Sequence, residues 1–187
     1  MIDVVVLASG SGTLTQALID AVEAGELEAR IVAVISDQPT AGVLERARSH
    51  SIDAVAHPLP KGTDREAWDR ELAHIVERYE PDLVASAGFM KLLGPHFLAR
   101  FEGRTINTHP ALLPSFPGMH GARDALHAGV KVTGATVFVV DAGVDTGRIL
   151  AQGAVDVLDD DSVESLHERI KVVERRLLVE VVRNWRK

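Results

Sequence analysis

The chain has 187 residues, 46% of them hydrophobic and 25% charged, with a formal charge of −7. That balance fits one soluble domain over residues 1–187 with material for a substantial core, and the acidic charge argues against general nucleic-acid binding. There is no cysteine, so disulfides, zinc thiolates and cysteine nucleophiles are excluded.

The first strand begins directly after Met1, which leaves no room for a signal peptide. Val4 to Ala8 is a continuous run dominated by β-branched residues, the pattern of a buried parallel strand. Ser9-Gly10-Ser11-Gly12-Thr13 follows, then helical spacing from Leu14 to Ala24 with Gly25 as its stop. Ile31 to Ser36 is the second strand, Val43 to His50 the second helix and Ala54 to His57 a short third strand. Asp64 is positioned to cap a helix running to Tyr79. Leu83 to Ala87 is the fourth strand, Pro95 to Phe101 a short helix and Arg104 to Thr108 the fifth strand. Ala122 to Ala128 is a further helix, ended near Gly129. Val132 to Val140 and Arg148 to Val157 read as paired strands around residues 141–147. Ser162 to Trp185 is a long last helix with an apolar stripe at Ile170, Val173, Leu177 and Val181; Ser162 and Ser165 can serve its first turn. The alternation predicts an α/β fold: a doubly wound, mostly parallel sheet with helices on both faces. No apolar run reaches membrane-spanning length, and a cytoplasmic protein is expected.

Asn107-Thr108-His109-Pro110 carries the most chemical information. Asn107 and His109 are two apart, so in extended backbone they point to the same side. The prolines that follow stiffen the exit. A carboxamide donor beside an imidazole suits carbonyl addition, in which one group stabilises an oxyanion and the other moves a proton. Asp145 lies in the turn between the paired strands and can orient or charge-stabilise that imidazole; an ordinary turn aspartate is the alternative.

The glycine loop after the first strand is neither a Walker loop nor a full dinucleotide fingerprint. It is either a phosphate cradle at a helix N-terminus or simply a tight turn. Gly88-Phe89-Met90-Lys91-Leu92-Leu93-Gly94 either lines a pocket for a flat ligand or packs over the core. His50, His57, His74, His96, His127 and His167 lack a metal-ligand pattern and are assigned to surface or structural roles.

Taken together, these segments resemble the phosphoribosylglycinamide formyltransferase family, also called glycinamide ribonucleotide transformylase, over essentially the whole chain. The most specific stretch is Asn107-Thr108-His109-Pro110-Ala111-Leu112-Leu113-Pro114, continuing into Phe116-Pro117-Gly118-Met119-His120. Val4 to Thr13, Gly42 to Ala47, Asp64 to Asp69, Ala87 to Leu93 and Val144 to Gly147 support it. The resemblance implies a Rossmann-like formyltransferase fold and formyl transfer from 10-formyltetrahydrofolate to the amine of glycinamide ribonucleotide, in purine biosynthesis. It implies Asn107, His109 and Asp145 as the catalytic trio. It assigns the ribonucleotide to Ser11, Gly12, Thr13, Leu14, Gly88, Pro110, Lys171 and Glu174. It assigns the folate co-substrate to Arg65, Met90, Lys91, Leu92 and Leu93, with Asn107 and Asp145 shared. It implies small-molecule partners and no metal, and leaves a homodimer open. Whether His109 or Asp145 is the formal proton carrier stays undecided.

This chain departs from the family pattern at Leu14, where a side-chain amide is common, and at Phe138, where many relatives have a histidine. It also ends just after its last helix, where some relatives carry a short tail. The related methionyl-tRNA formyltransferases and formyltetrahydrofolate deformylases carry additional domains that this chain is not expected to have. A non-catalytic nucleotide-binding module is the rival from another class.

Overall fold

In the computed structural model, residues 1–185 are described. The elements in chain order are β1 (Ile2–Leu7), α1 (Thr13–Glu23), β2 (Ala29–Ser36), α2 (Gly42–Ser49), β3 (Asp53–Ala56), α3 (Arg65–Glu77) and β4 (Leu83–Ser86). They continue with α4 (Pro95–Phe101), β5 (Thr105–His109), α5 (Gly121–His127), β6 (Val132–Val139), β7 (Ile149–Asp156) and α6 (Val163–Arg183). One seven-stranded sheet has the order β3-β2-β1-β4-β5-β6-β7. The pairs from β3 through β5 are parallel, while β6 and β7 run antiparallel.

The alternation of side chains along each strand builds a core on either face. Val4 and Val6 of β1 pack with Leu18 of α1, Leu44 of α2, and Ile170 and Leu178 of α6. Val5 and Leu7 point the other way, to Trp68 and Leu72 of α3 and Phe97 and Phe101 of α4. This two-sided burial is why β1 is apolar without interruption.

Local chemistry sets the helix starts. The Asp64 carboxylate accepts from the N–H groups of Glu66 and Ala67. Pro95 opens α4, where its missing N–H costs nothing. Ser162 and Ser165 cap each other reciprocally at the start of α6. α6 ends at Arg183 rather than Trp185, with Asn184 as its cap.

β5 runs one residue further than the sequence predicts. His109 is still paired with Thr136 of β6, and the ladder stops only at Pro110, which has no N–H to give. The chain order reverses between β1 and β4, and the loops that follow β1, β4 and β5 open at the same sheet edge. Ligand crevices in open α/β sheets form at such a reversal. Among the described residues no helix is long and apolar enough to cross a membrane.

Candidate active site

A cavity of about 700 Å³ opens at that reversal. Its walls come from the glycine loop, the 88–93 loop, the end of β5, the 140–145 stretch and one face of α6.

His109 is 4% exposed at the cavity's inner wall, and its Nδ1 lies 3.4 Å from an Asp145 carboxylate oxygen. Its Nε2 donates to the Phe116 carbonyl at 2.7 Å. Both ring nitrogens therefore face acceptors. The same Asp145 oxygen accepts from the Gly118 N–H at 2.7 Å. Asp145 has a left-handed backbone, φ 55°, which a short polar side chain tolerates well. Asn107 and Pro110 line the same cavity as these two groups.

The glycine loop forms another wall. Ser11, Gly12, Thr13 and Leu14 all line it. Gly12 has φ 79° and precedes the first turn of α1, whose opening N–H groups have no acceptor within the helix. The loop is docked from α2: Val43 N–H donates to the Gly10 carbonyl, and Arg46 donates to the Ser11 carbonyl. Leu14 is half-buried and packs against the core, so it contributes no polar group to the cavity.

Gly88, Met90, Lys91, Leu92 and Leu93 line the mouth. Met90 and Leu92 are 61% and 65% exposed, an apolar lip around the opening. Leu93 leans instead on the core cluster under α3. Lys91 turns its ammonium inward, 3.3 Å from Asp37.

Arg65 is the assigned residue that the structure sets apart. It is not on the cavity wall. Its guanidinium stacks over Trp68 at 4.5 Å from the ring and donates to the Leu92 carbonyl, so it braces the lip from behind. One guanidinium nitrogen is buried without a partner.

Lys171 and Glu174 of α6 reach the cavity, and so does His167, which the sequence consigns to a surface or structural role. The structure gives it a wall position that the sequence reading did not. The signal was present: positions 167, 171 and 174 share one helix face. Burial, with Lys171 beside it, pushes the His167 pKa down. Thr108, Phe138 and Asp141 are further wall residues without an assignment at the sequence level. Phe138 stands opposite Asn107 in the β5–β6 register, which neither position reveals alone. Among the described residues no group of His, Cys, Asp or Glu is arranged to hold a metal ion.

Glu174 is 4% exposed. Burial pushes its pKa up to about 7, against a smaller opposing effect from the Thr108 hydroxyl. The folded protein therefore keeps this proton to higher pH than the unfolded chain does. Stability should fall as pH rises from the ordinary carboxylate range through about 7, by on the order of 3 kcal/mol. Glu174→Gln should remove that loss. Its melting temperature should exceed that of the wild type at pH 8, with the gap closing near pH 5 in thermal melts. A gap independent of pH would mean that Glu174 is ionised throughout.

The formyl transferase family pattern matches residues 2–182. A phosphoribosylglycinamide formyltransferase from Mycobacterium tuberculosis is 57% identical over 178 residues, covering 95% of this chain and 82% of the relative. The crystal structure of glycinamide ribonucleotide transformylase 1 from Symbiobacterium toebii superposes with a TM-score of 0.95 at 45% identity, covering 98% of this chain and 86% of that one. A formyltetrahydrofolate deformylase from Pseudomonas syringae superposes at 0.91 with 29% identity, over 97% of this chain but only 60% of that one. The chain belongs to the formyl transferase family.

Proposed function

We propose that this cavity transfers the formyl group of 10-formyltetrahydrofolate to the amine of glycinamide ribonucleotide. The single observation that carries the proposal is the buried His109–Asp145 contact beside Asn107, in a cavity shared by the glycine loop and the apolar lip.

The ribonucleotide phosphate sits on the backbone N–H groups of Ser11, Gly12 and Thr13, where the helix dipole of α1 adds to the attraction. Lys171 and Glu174 take the rest of that substrate. The flat pterin of the donor enters between the 88–94 loop and the 141–147 loop. The neutral amine attacks the formyl carbon, forming a C–N bond. Asn107 donates to the developing oxyanion, and His109, charged and held by Asp145, stabilises it as well. With Nε2 given to Phe116 and Nδ1 facing Asp145, the ring acts as a fixed charge rather than a shuttle. Asp145 and a water then carry the proton from the attacking nitrogen to N10 of the folate, as the old C–N bond breaks. Residues 1–187 serve as one catalytic domain, and its cytoplasmic placement follows from the pathway it serves.

The deformylase likeness supplies the competing reading, in which water replaces the amine. A folate absorbance assay with and without glycinamide ribonucleotide separates the two. Tetrahydrofolate should appear only when the ribonucleotide is present. Donor consumption at the same rate without it would make the protein a hydrolase and overturn the proposal.

A further inference from the structure

Asp37, at the end of β2, is a buried carboxylate with no place in the chemistry above. Its side chain is 0% exposed. It does not line the cavity, so any effect on ligands must pass through other residues. Burying a carboxylate is costly, and an apolar side chain would pack there at lower cost. Stability alone therefore does not account for it.

Two of its three partners, Ser9 and Lys91, line the cavity. Ser9 Oγ donates to one Asp37 oxygen at 2.5 Å, while Gln38 donates to the other at 3.0 Å. The Lys91 ammonium lies 3.3 Å from that second oxygen. Ser9 Oγ also accepts from the Met90 N–H at 2.8 Å, and Ser9 N–H donates to the Gly88 carbonyl at 3.0 Å. A hydroxyl has a single proton. With that proton directed at Asp37, the Ser9 lone pairs are turned to Met90. Without the carboxylate the hydroxyl is free to rotate, and the Met90 N–H loses its acceptor.

The far end of the loop is held in the same manner. Asp69, 1% exposed, accepts from the N–H groups of Gly94 at 2.6 Å and His96 at 3.0 Å. Between these two anchors Met90 and Leu92 face outward, while Phe89 and Leu93 pack on the core under α3, so polar contacts and that packing together set the path of the loop.

We infer that Asp37 is a positioning residue for the formyl donor: through Ser9 and Lys91 it fixes the Met90–Lys91 backbone in the shape that receives the pterin. This rests on the assignment of the donor to the 88–94 loop. Asp37→Leu fills the same buried space but removes both acceptors, which frees the Ser9 hydroxyl and releases Lys91.

The test combines steady-state kinetics with amide hydrogen exchange. In Asp37→Leu the KM for the formyl donor should rise about tenfold, the worth of one charge-assisted contact. The KM for the ribonucleotide and kcat at saturating donor should stay at wild-type values, with the melting temperature checked alongside. In the unliganded variant the Met90 amide should exchange faster. Lys91→Met should raise the donor KM as well, and the double variant should fall short of the product of the two effects. Unchanged donor KM or unchanged Met90 exchange, with tetrahydrofolate still protecting residues 88–94 in the wild type, overturns the role of Asp37 alone. A parallel rise in both KM values with a fall in kcat makes Asp37 merely structural and also overturns it. Absence of tetrahydrofolate protection at 88–94 in the wild type overturns the donor assignment, and the inference with it.

Discussion

Asp145→Asn should lower kcat by about two to four orders of magnitude while both ligands still bind. The asparagine is chosen because position 145 has φ 55°, a conformation that asparagine accepts more readily than alanine. Its side-chain oxygen can still accept from Gly118 N–H, which keeps the loop against the 116–118 turn. What is lost is the negative charge 3.4 Å from the His109 ring. If that charge holds the ring in place and carries the proton, the loss falls on the transition state and not on ground-state binding. Calorimetric titration with tetrahydrofolate and with glycinamide ribonucleotide should give dissociation constants near the wild-type values. A folded variant with wild-type kcat would remove Asp145 from the mechanism. A large loss of ligand affinity with kcat unchanged would make it a binding residue instead.

The fold was legible because local chemistry and global pattern agree. The β-branched run at Val4–Val6, the cap at Asp64 and the proline at the start of α4 each act within a few residues, and each stands where the pattern places it. Most boundaries moved by one or two residues: β2 begins at Ala29 rather than Ile31, and α3 ends at Glu77 rather than Tyr79. β5, for example, persists to His109 because β6 pairs with it there.

The candidate site was legible where strand periodicity puts two side chains on one face, as at Asn107 and His109, which line the same cavity. Elsewhere it depends on contacts between distant segments. Asp145 and His109 are 36 positions apart and meet only because the β6–β7 turn folds back over the end of β5. Arg65 is brought near the lip by the packing of α3, yet it points to a carbonyl behind the wall. Asp37 carries no motif at all. Its significance comes from burial and from partners at positions 9 and 91. His167 differs, since its spacing to Lys171 and Glu174 marks a common face; the competing apolar stripe of α6 draws attention to the core side instead.

Gly12→Val should raise the KM for glycinamide ribonucleotide about a hundredfold, roughly the loss of two hydrogen bonds to a charged phosphate. Two physical reasons act together. The backbone at Gly12 has φ 79°, a region in which a β-branched residue is strained. A Cβ placed there would also stand 2.5 Å from Cγ2 of Val43 and 3.0 Å from its Cα. The side chain of Val43 can turn, but its backbone is anchored, because Val43 N–H donates to the Gly10 carbonyl. The loop must therefore shift, and the N–H groups of Gly12 and Thr13 move with it. The donor site proposed above is built mainly from a different loop, so the dissociation constant for tetrahydrofolate should remain within about threefold of wild type, below 1 kcal/mol. Calorimetric titration of both ligands, beside a thermal melt to establish that the variant is folded, separates the two effects. Ribonucleotide affinity intact in a folded Gly12→Val protein would place the phosphate elsewhere in the cavity and leave the glycine loop as a turn.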